Sequence, residues 1–357
     1  MKIPDTDAAD LHRRLVDFAL RTLALPPETA LNITPLTKGG SDRSFYRLIY
    51  KIDNTSEGAP MDVGGACSVI AMHYNPERRE NTLYADIAQF LLELRVAAAT
   101  VLAHDPEACF VVMEDLGDED LWSCRNENWL SRRDLYAETL RHAHKLHRYF
   151  HDDRGIPLPA LMEGYDAALY RWEQRYFLKE FVEPVCGINL SPAEEEALEK
   201  ELAELAMRLL SKSDTGLVHR DLQSQNVMIH ERTPALIDFQ GLRTGSPFYD
   251  LGSLLYDPYV SLTTRERMEL LEFYYALSPQ GLKWPDFVTL FYEGSAQRLM
   301  QALGAYGFLG HRNGRADFRA HIPAGLRHLL DALSRTSSLP CLRALTVRCL
   351  TVLNLGM

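Results

Sequence analysis

The chain has 357 residues, 46% of them hydrophobic and 24% charged, a balance that supports a sizeable core in two domains or in one divided by a cleft. Its net charge of −11 at pH 7 opposes nucleic acid or an anionic membrane as the main partner and favours a small molecule. The opening MKIPDTDAADLHRRL lacks the apolar stretch of a secretory signal, and runs such as FLLEL are too short to span a bilayer. Cys67, Cys109, Cys124, Cys186, Cys341 and Cys349 are scattered without a CxxC pair. Reduced thiols and a cytoplasmic setting are therefore expected. No obligate protein partner is evident.

The first third reads as strands with one helix. LTKGGSDRSFYRLIYKI has the alternation of a hairpin, with Gly39-Gly40 in its turn. A polar stretch, DNTSEGAPMDVGG, leads to a third strand, CSVIAMHY. A helix is predicted near residues 78–95, with Leu83, Ile87, Leu91 and Leu94 on one face. CFVVMEDLG follows as another apolar segment, ending at Gly117 beside an acidic patch. The remainder is mainly helical. RRDLYAETLRHAHKLHRYF has helical spacing, and SPAEEEALEKELAELAMRLL opens with Ser191, Pro192 and Glu194 in a capping-box pattern. The expected α+β outline is a small β-rich lobe (residues 1–112), a hinge (113–118) and a larger helical lobe (119–357), with a ligand cleft between the lobes.

The stretch LVHRDLQSQNVMIHERTPALIDFQG, residues 217–241, breaks the helical region with two short strands, NVMIH and PALIDF. Asp221, Asn226 and Asp238 stand at the ends of these apolar runs, which points their oxygen-bearing side chains to one mouth of a small sheet. Carboxylate and amide oxygens are the hard donors that Mg²⁺ prefers, together with water and phosphate oxygens. Phosphoryl transfer needs such a metal and a group that orients the attacking hydroxyl. In this reading Asp221 takes the acceptor's proton, Asn226 and Asp238 hold the metal, and His219 braces the loop. Arg220 fits either substrate or scaffold.

HRDLQSQN and DFQG resemble the H-R-D-x-x-x-x-N and D-F-G elements of the kinase-like superfamily. The resemblance implies a bilobal protein-kinase-like fold that uses ATP and Mg²⁺. Gly39, Gly40 and Ser41 then occupy the turn whose N–H groups meet phosphates, although without G-x-G-x-x-G an ordinary hairpin turn accounts for them too. Met113, Glu114 and Leu116 fall at the hinge, where the resemblance implies main-chain bonds to adenine. Met72 stands where kinases commonly carry the phosphate-pairing lysine of V-A-I-K. A thioether cannot supply that charge, so Arg43 first, and Arg47 second, is expected to replace it.

DFQGLRTGSPFYDLGSLLYD runs directly into an apolar helix without an A-P-E element, which argues for a small-molecule acceptor. Asp250 in that helix resembles the helix-capping aspartate of aminoglycoside and choline kinases and is expected to be structural. From about residue 30 to 335, GGSDRSFYRL, SVIAMHYNPERREN, VVMEDLGDEDLW, LVHRDLQSQNVM, FYDLGSLLYD and QRLMQALGAYGFLG resemble, in order, the bacterial anomeric amino-sugar kinases. The resemblance implies phosphorylation of N-acetylmuramate or N-acetylglucosamine at C1. The acceptor is then expected over Asp221, near Gln240, Arg243 and the insertion GYDAALYRWEQRYFLKEF, with Asp166 and Glu173 binding hydroxyls and Trp172 or Tyr176 stacking on the ring. An amphipathic helix with solvated charges explains the same spacing, and Arg243 equally suits a surface arginine. Another small acceptor (an aminoglycoside, choline or homoserine) and a nucleotide-binding pseudokinase are the alternatives.

Overall fold

The computed structural model describes residues 5–36, 43–51, 66–152, 155–277 and 281–355. Gly39, Gly40 and Ser41 lie outside them. The chain divides into two compact units. One comprises Met1–Asp118 with Ile156–Leu161 and Ala235–Gln240. The other comprises Glu119–Gly155, Met162–Pro234 and Gly241–Met357. The stretch Ala235–Gln240, which the sequence reading kept with the helical part, thus clusters with the N-terminal unit.

The N-terminal unit is built on five strands: β1 (Asn32–Leu36), β2 (Arg43–Lys51), β3 (Ala66–Tyr74), β4 (Val101–Asp105) and β5 (Phe110–Glu114). Their order is β1-β2-β3-β5-β4, and every neighbouring pair is antiparallel. The register sets Met72 opposite Phe45 on one side and Val111 on the other, and Met72 is wholly buried. Two elements escaped the sequence reading. A helix, α1 (Asp5–Thr22), precedes the sheet. Its Leu15 and Ala19 pack on Leu48, Val69, Ala71, Phe110 and Val112, the outcome expected for apolar residues four apart on one helix face. The edge strand β4 is the other. None of its residues is buried and Leu102 is exposed, which leaves only a faint alternation to read. The expected helix near 78–95 forms as a single turn, α2 (Arg79–Thr82), and a longer helix, α3 (Tyr84–Glu93), that buries Ile87 and Leu91.

In the second unit, α4 (Trp129–His147), α5 (Ala167–Phe177) and α6 (Pro192–Ser211) come first. The capping box of α6 is present: Ser191 N–H donates to Glu194 Oε2 at 2.8 Å. The short strand β6 (Gly216–Val218) leads into the 219–226 loop, and β7 (Val227–His230) leaves it. A two-residue turn, Glu231 and Arg232, both with positive φ, joins β7 to β8 (Thr233–Leu236), the backbone that tight hairpins favour. Strand β9 (Arg243–Gly245) pairs with β6. Six α-helices follow among the described residues: α7 (Pro247–Leu255), α8 (Thr264–Ala276), α9 (Trp284–Tyr306), α10 (Ala316–Arg319), α11 (Ile322–Leu333) and α12 (Pro340–Val352). No helix among the described residues is long and apolar enough to cross a membrane.

Candidate active site

The loop 219–226 is held from below by one short helix. Asp250 and Ser253 lie three apart on α7 and so share a side of it, and Asp257 follows just past its C-terminal end. Asp250 is completely buried. Its carboxylate accepts the His219 N–H at 2.7 Å and the Arg220 N–H at 2.8 Å. His147 Nε2 lies 3.2 Å from the same group. A buried carboxylate needs such partners, and this one in turn holds Arg220 at φ +77, a conformation that costs roughly 1–3 kcal/mol in a side-chain-bearing residue. Asp257 clamps the other half of the loop. It accepts the Ser224 N–H at 2.8 Å, the Ser224 hydroxyl at 2.5 Å and the Tyr259 N–H at 2.9 Å. Burial pushes the Asp257 acid up to about 6, against the opposing pull of Ser224, Tyr259 and Arg298.

Within the clamped loop, Asp221 keeps an exposed carboxylate. Its side chain is 41% accessible, and Oδ1 accepts a hydrogen bond from Arg298 Nη2 at 2.5 Å. Asn226 Nδ2 donates to the Asp221 carbonyl at 2.9 Å, so its amide oxygen is the atom of that side chain that could hold a cation. His219 is buried, and its Nδ1 accepts the Asp221 N–H at 3.3 Å. Arg220 sits in a field of Tyr165, Tyr249, Glu173 and Asp221; burial opposes its charge, but those groups hold its pKa above the ordinary value. It is scaffold.

Asp238 belongs to the N-terminal unit. It too has positive φ, +62. Its Oδ1 pairs with Arg43 Nη2 and accepts Gln240 Nε2 at 3.1 Å. Two buried atoms beside this pair, Arg43 Nε and Gln240 Oε1, have no hydrogen-bond partner among the described residues. A buried donor and a buried acceptor left unpaired are costly, and both kinds are what a phosphate and a hard cation would satisfy. Arg47 is committed elsewhere. Its Nε meets Asp115 at 2.6 Å and its Nη1 meets Asp118 at 2.8 Å. Between the two arginines, only Arg43 reaches the Asp238 carboxylate. In the hinge segment, Met113 is buried and receives the Tyr84 hydroxyl at 3.2 Å from its sulfur. The Glu114 N–H bonds the Thr100 carbonyl at 2.9 Å, and Leu116 is buried.

Three of the residues expected at the acceptor, Asp166, Glu173 and Arg243, are engaged within the fold. Asp166 is the N-cap of α5, its carboxylate accepting the Leu169 N–H at 2.7 Å, which accounts for its presence without a ligand. Glu173 is 1% exposed. Its carboxylate accepts from Tyr249 at 2.9 Å and from Tyr165 and Gln297 at 3.1 Å. Burial raises its acid above the usual range, although Arg220 and these donors oppose the shift. It is a core anchor, because the face of α5 that reads as polar turns inward. Arg243 is likewise buried, donating to the Gly241 carbonyl at 3.0 Å with its guanidinium 5.6 Å from the Tyr165 ring centre. Trp172 stacks on Tyr176 at 5.2 Å and stays 54% exposed. Arg298 was missed. The available signal was the lone cation of α9, in QRLMQALGAY, since a buried charge is tolerated only with a partner.

A clamped loop bearing an exposed aspartate, with an amide side chain five residues on, is an arrangement compatible with phosphoryl transfer. Residues 32–288 match the Phosphotransferase enzyme family (APH), and the chain belongs to that family. It is a small-molecule kinase. Two relatives are named N-acetylmuramate/N-acetylglucosamine kinase. The one from Pseudomonas aeruginosa is 25% identical over 77% of this chain and 80% of its own. The one from Pseudomonas putida is 24% identical over 85% of each. Among solved structures, a choline/ethanolamine kinase family protein from Mesorhizobium loti superposes with a TM-score of 0.56 at 17% identity, over 93% of this chain and 99% of that one. That likeness establishes a bilobal fold, with a small β-rich N-lobe and a larger helical C-lobe.

Proposed function

We propose that the protein transfers the terminal phosphoryl group of ATP to the anomeric hydroxyl of an N-acetylated amino sugar. The observation that carries this reading is the Asp221 carboxylate, anchored through one oxygen yet 41% exposed on a loop fixed by two buried aspartates. Phosphoryl transfer asks for positioning more than covalent help. Asp221 accepts the acceptor's hydroxyl proton and aims its oxygen at phosphorus; the new O–P bond forms as the bond to the ADP oxygen breaks. An anomeric hydroxyl is more acidic than an ordinary alcohol, because the ring oxygen withdraws electron density, so a modest base suffices. Asn226 and Asp238 are the hard-oxygen donors for a divalent ion, taken as Mg²⁺, which when bound neutralises charge developing on the phosphates. Arg43 stands in for the cation missing at Met72, a reading supported by its unpaired Nε beside Asp238. In this proposal the N-lobe spans 1–112, Gly39, Gly40 and Ser41 cover the phosphates, and Met113, Glu114 and Leu116 in the 113–118 hinge receive adenine. The helical lobe, 119–357, carries the acceptor.

The names of the relatives favour an amino sugar. Phosphorus NMR of product made from N-acetylglucosamine, N-acetylmuramate, a 1-O-methyl glycoside and choline tests the reading. Phosphate on the anomeric carbon of the free sugars, with no product from the glycoside, is expected. Product from choline alone would overturn the acceptor. Asp221→Asn should keep ATP binding and lose about 10²–10⁴-fold in turnover.

A further inference from the structure

We infer that Arg298 is a positioning residue for phosphoryl transfer, holding one carboxylate oxygen of Asp221 so that the other faces the acceptor hydroxyl; this rests on the function proposed above. The geometry is built from the helices outward. Helices α7 and α9 approach closely because glycines face each other's backbone. A Cβ at Gly252 would stand 2.6 Å from the Ser295 Cα, and one at Gly294 2.7 Å from the Phe248 carbonyl oxygen. Arg298 lies one turn beyond Gly294 on α9, and Ser253 directly follows Gly252 on α7, so this close contact also fixes the root of the Arg298 side chain.

The guanidinium is then held at three points. Nε donates to the Ser253 hydroxyl at 3.2 Å, Nη1 to Gln301 Oε1 at 2.6 Å and Nη2 to Asp221 Oδ1 at 2.5 Å. Its side chain is 8% exposed against 41% for Asp221. A planar, buried cation gripping an exposed carboxylate acts in one direction: the fixed partner orients the free one. A surface ion pair would show both groups accessible and would constrain little. The environment agrees with a permanent cation. Burial disfavours the charge, yet Asp221, with Tyr249, Tyr306 and Tyr165 around it, raises the Arg298 pKa above its ordinary value. The same helix that supplies Ser253 supplies Asp250 to the loop backbone, so main chain and side chain of Asp221 are referred to one rigid support.

Kinetics of Arg298→Ala and Arg298→Lys, with N-acetylglucosamine and MgATP, test the role. For Arg298→Ala, kcat should fall on the order of 100-fold, the scale of a carboxylate misplaced by about 1 Å, while KM for ATP moves less than about threefold. Added guanidinium ion should restore part of kcat in Arg298→Ala and nothing in the wild type. Arg298→Lys should fall between, since an ammonium cannot span Ser253 and Asp221 together. If Arg298→Ala does not fold, Arg298→Lys decides alone: a wild-type kcat would overturn the inference. So would a folded Arg298→Ala with unchanged kcat, or losses in kcat and ATP affinity that guanidinium does not touch. No phosphorylated sugar from the wild type would instead sink the proposed function.

Discussion

Asp257 illustrates how a residue away from the reacting atoms governs them. Ionised, it accepts three hydrogen bonds that shape the loop at Ser224 and the turn at Tyr259. Burial holds its acid up at about 6, whereas an unfolded aspartate titrates near about 3.9. The sign follows directly. Between those values the folded chain binds the proton more tightly than the unfolded chain, so this group favours folding as pH falls through the window. The loop behaves oppositely, since a protonated Asp257 is a poorer acceptor for Ser224. Turnover should therefore decline below about pH 6 while the fold persists, and Asp257→Asn should show low turnover with a flattened acid limb. Rate profiles alongside circular dichroism at each pH check this; an unaltered limb in the variant would count against it. Met72 and Arg43 show how much a single position reveals. The missing lysine was visible in Val69-Ile70-Ala71-Met72, and the sequence ranked Arg43 ahead of Arg47, although both sit on one strand and only the structure gives them different carboxylate partners.

At the scale of elements, amphipathic spacing was readable wherever it ran long enough. The capping box at Ser191 and the hairpin through Glu231 and Arg232 are local chemistry, settled by neighbours in sequence. Helix α1 was overlooked even though Leu11, Leu15, Phe18 and Ala19 keep a helical period, since polar residues dominate its composition. Its role is to close one face of the sheet. Leu15 is 2% exposed against Leu48, Val69 and Val112. Leu15→Ala should therefore cost about 2–5 kcal/mol through lost transfer energy and a cavity, read as a lower denaturant midpoint with kcat of the remaining folded enzyme little changed. A midpoint equal to wild type would mean that α1 is not part of that core. The α5 face was misjudged for the converse reason: Glu173 looks like a solvated charge until Tyr165, Tyr249 and Gln297 surround it.

At the scale of the whole molecule, Arg43 and Asp238 belong to one compact unit, and Asp221, Asn226 and Arg298 to the other. A ligand that binds only the folded chain stabilises it by about 2.7 kcal/mol at one hundred times its dissociation constant. MgATP should accordingly raise the thermal midpoint. Arg43→Ala and Asp238→Ala should shrink that rise, and Asp221→Asn should keep it; an undiminished rise in both alanine variants would remove those residues from the nucleotide site. What the sequence by itself determined is the α+β fold class, the kinase family and most of the strands and helices, because spacing along the chain sets which side chains share a face or a turn. Tertiary structure alone decided which distant charges meet. Arg298 is 77 residues from Asp221 and Arg43 is 195 from Asp238, and periodicity carries no record of a partner that far away. For Arg298, helix packing at Gly252 and Gly294 made that choice.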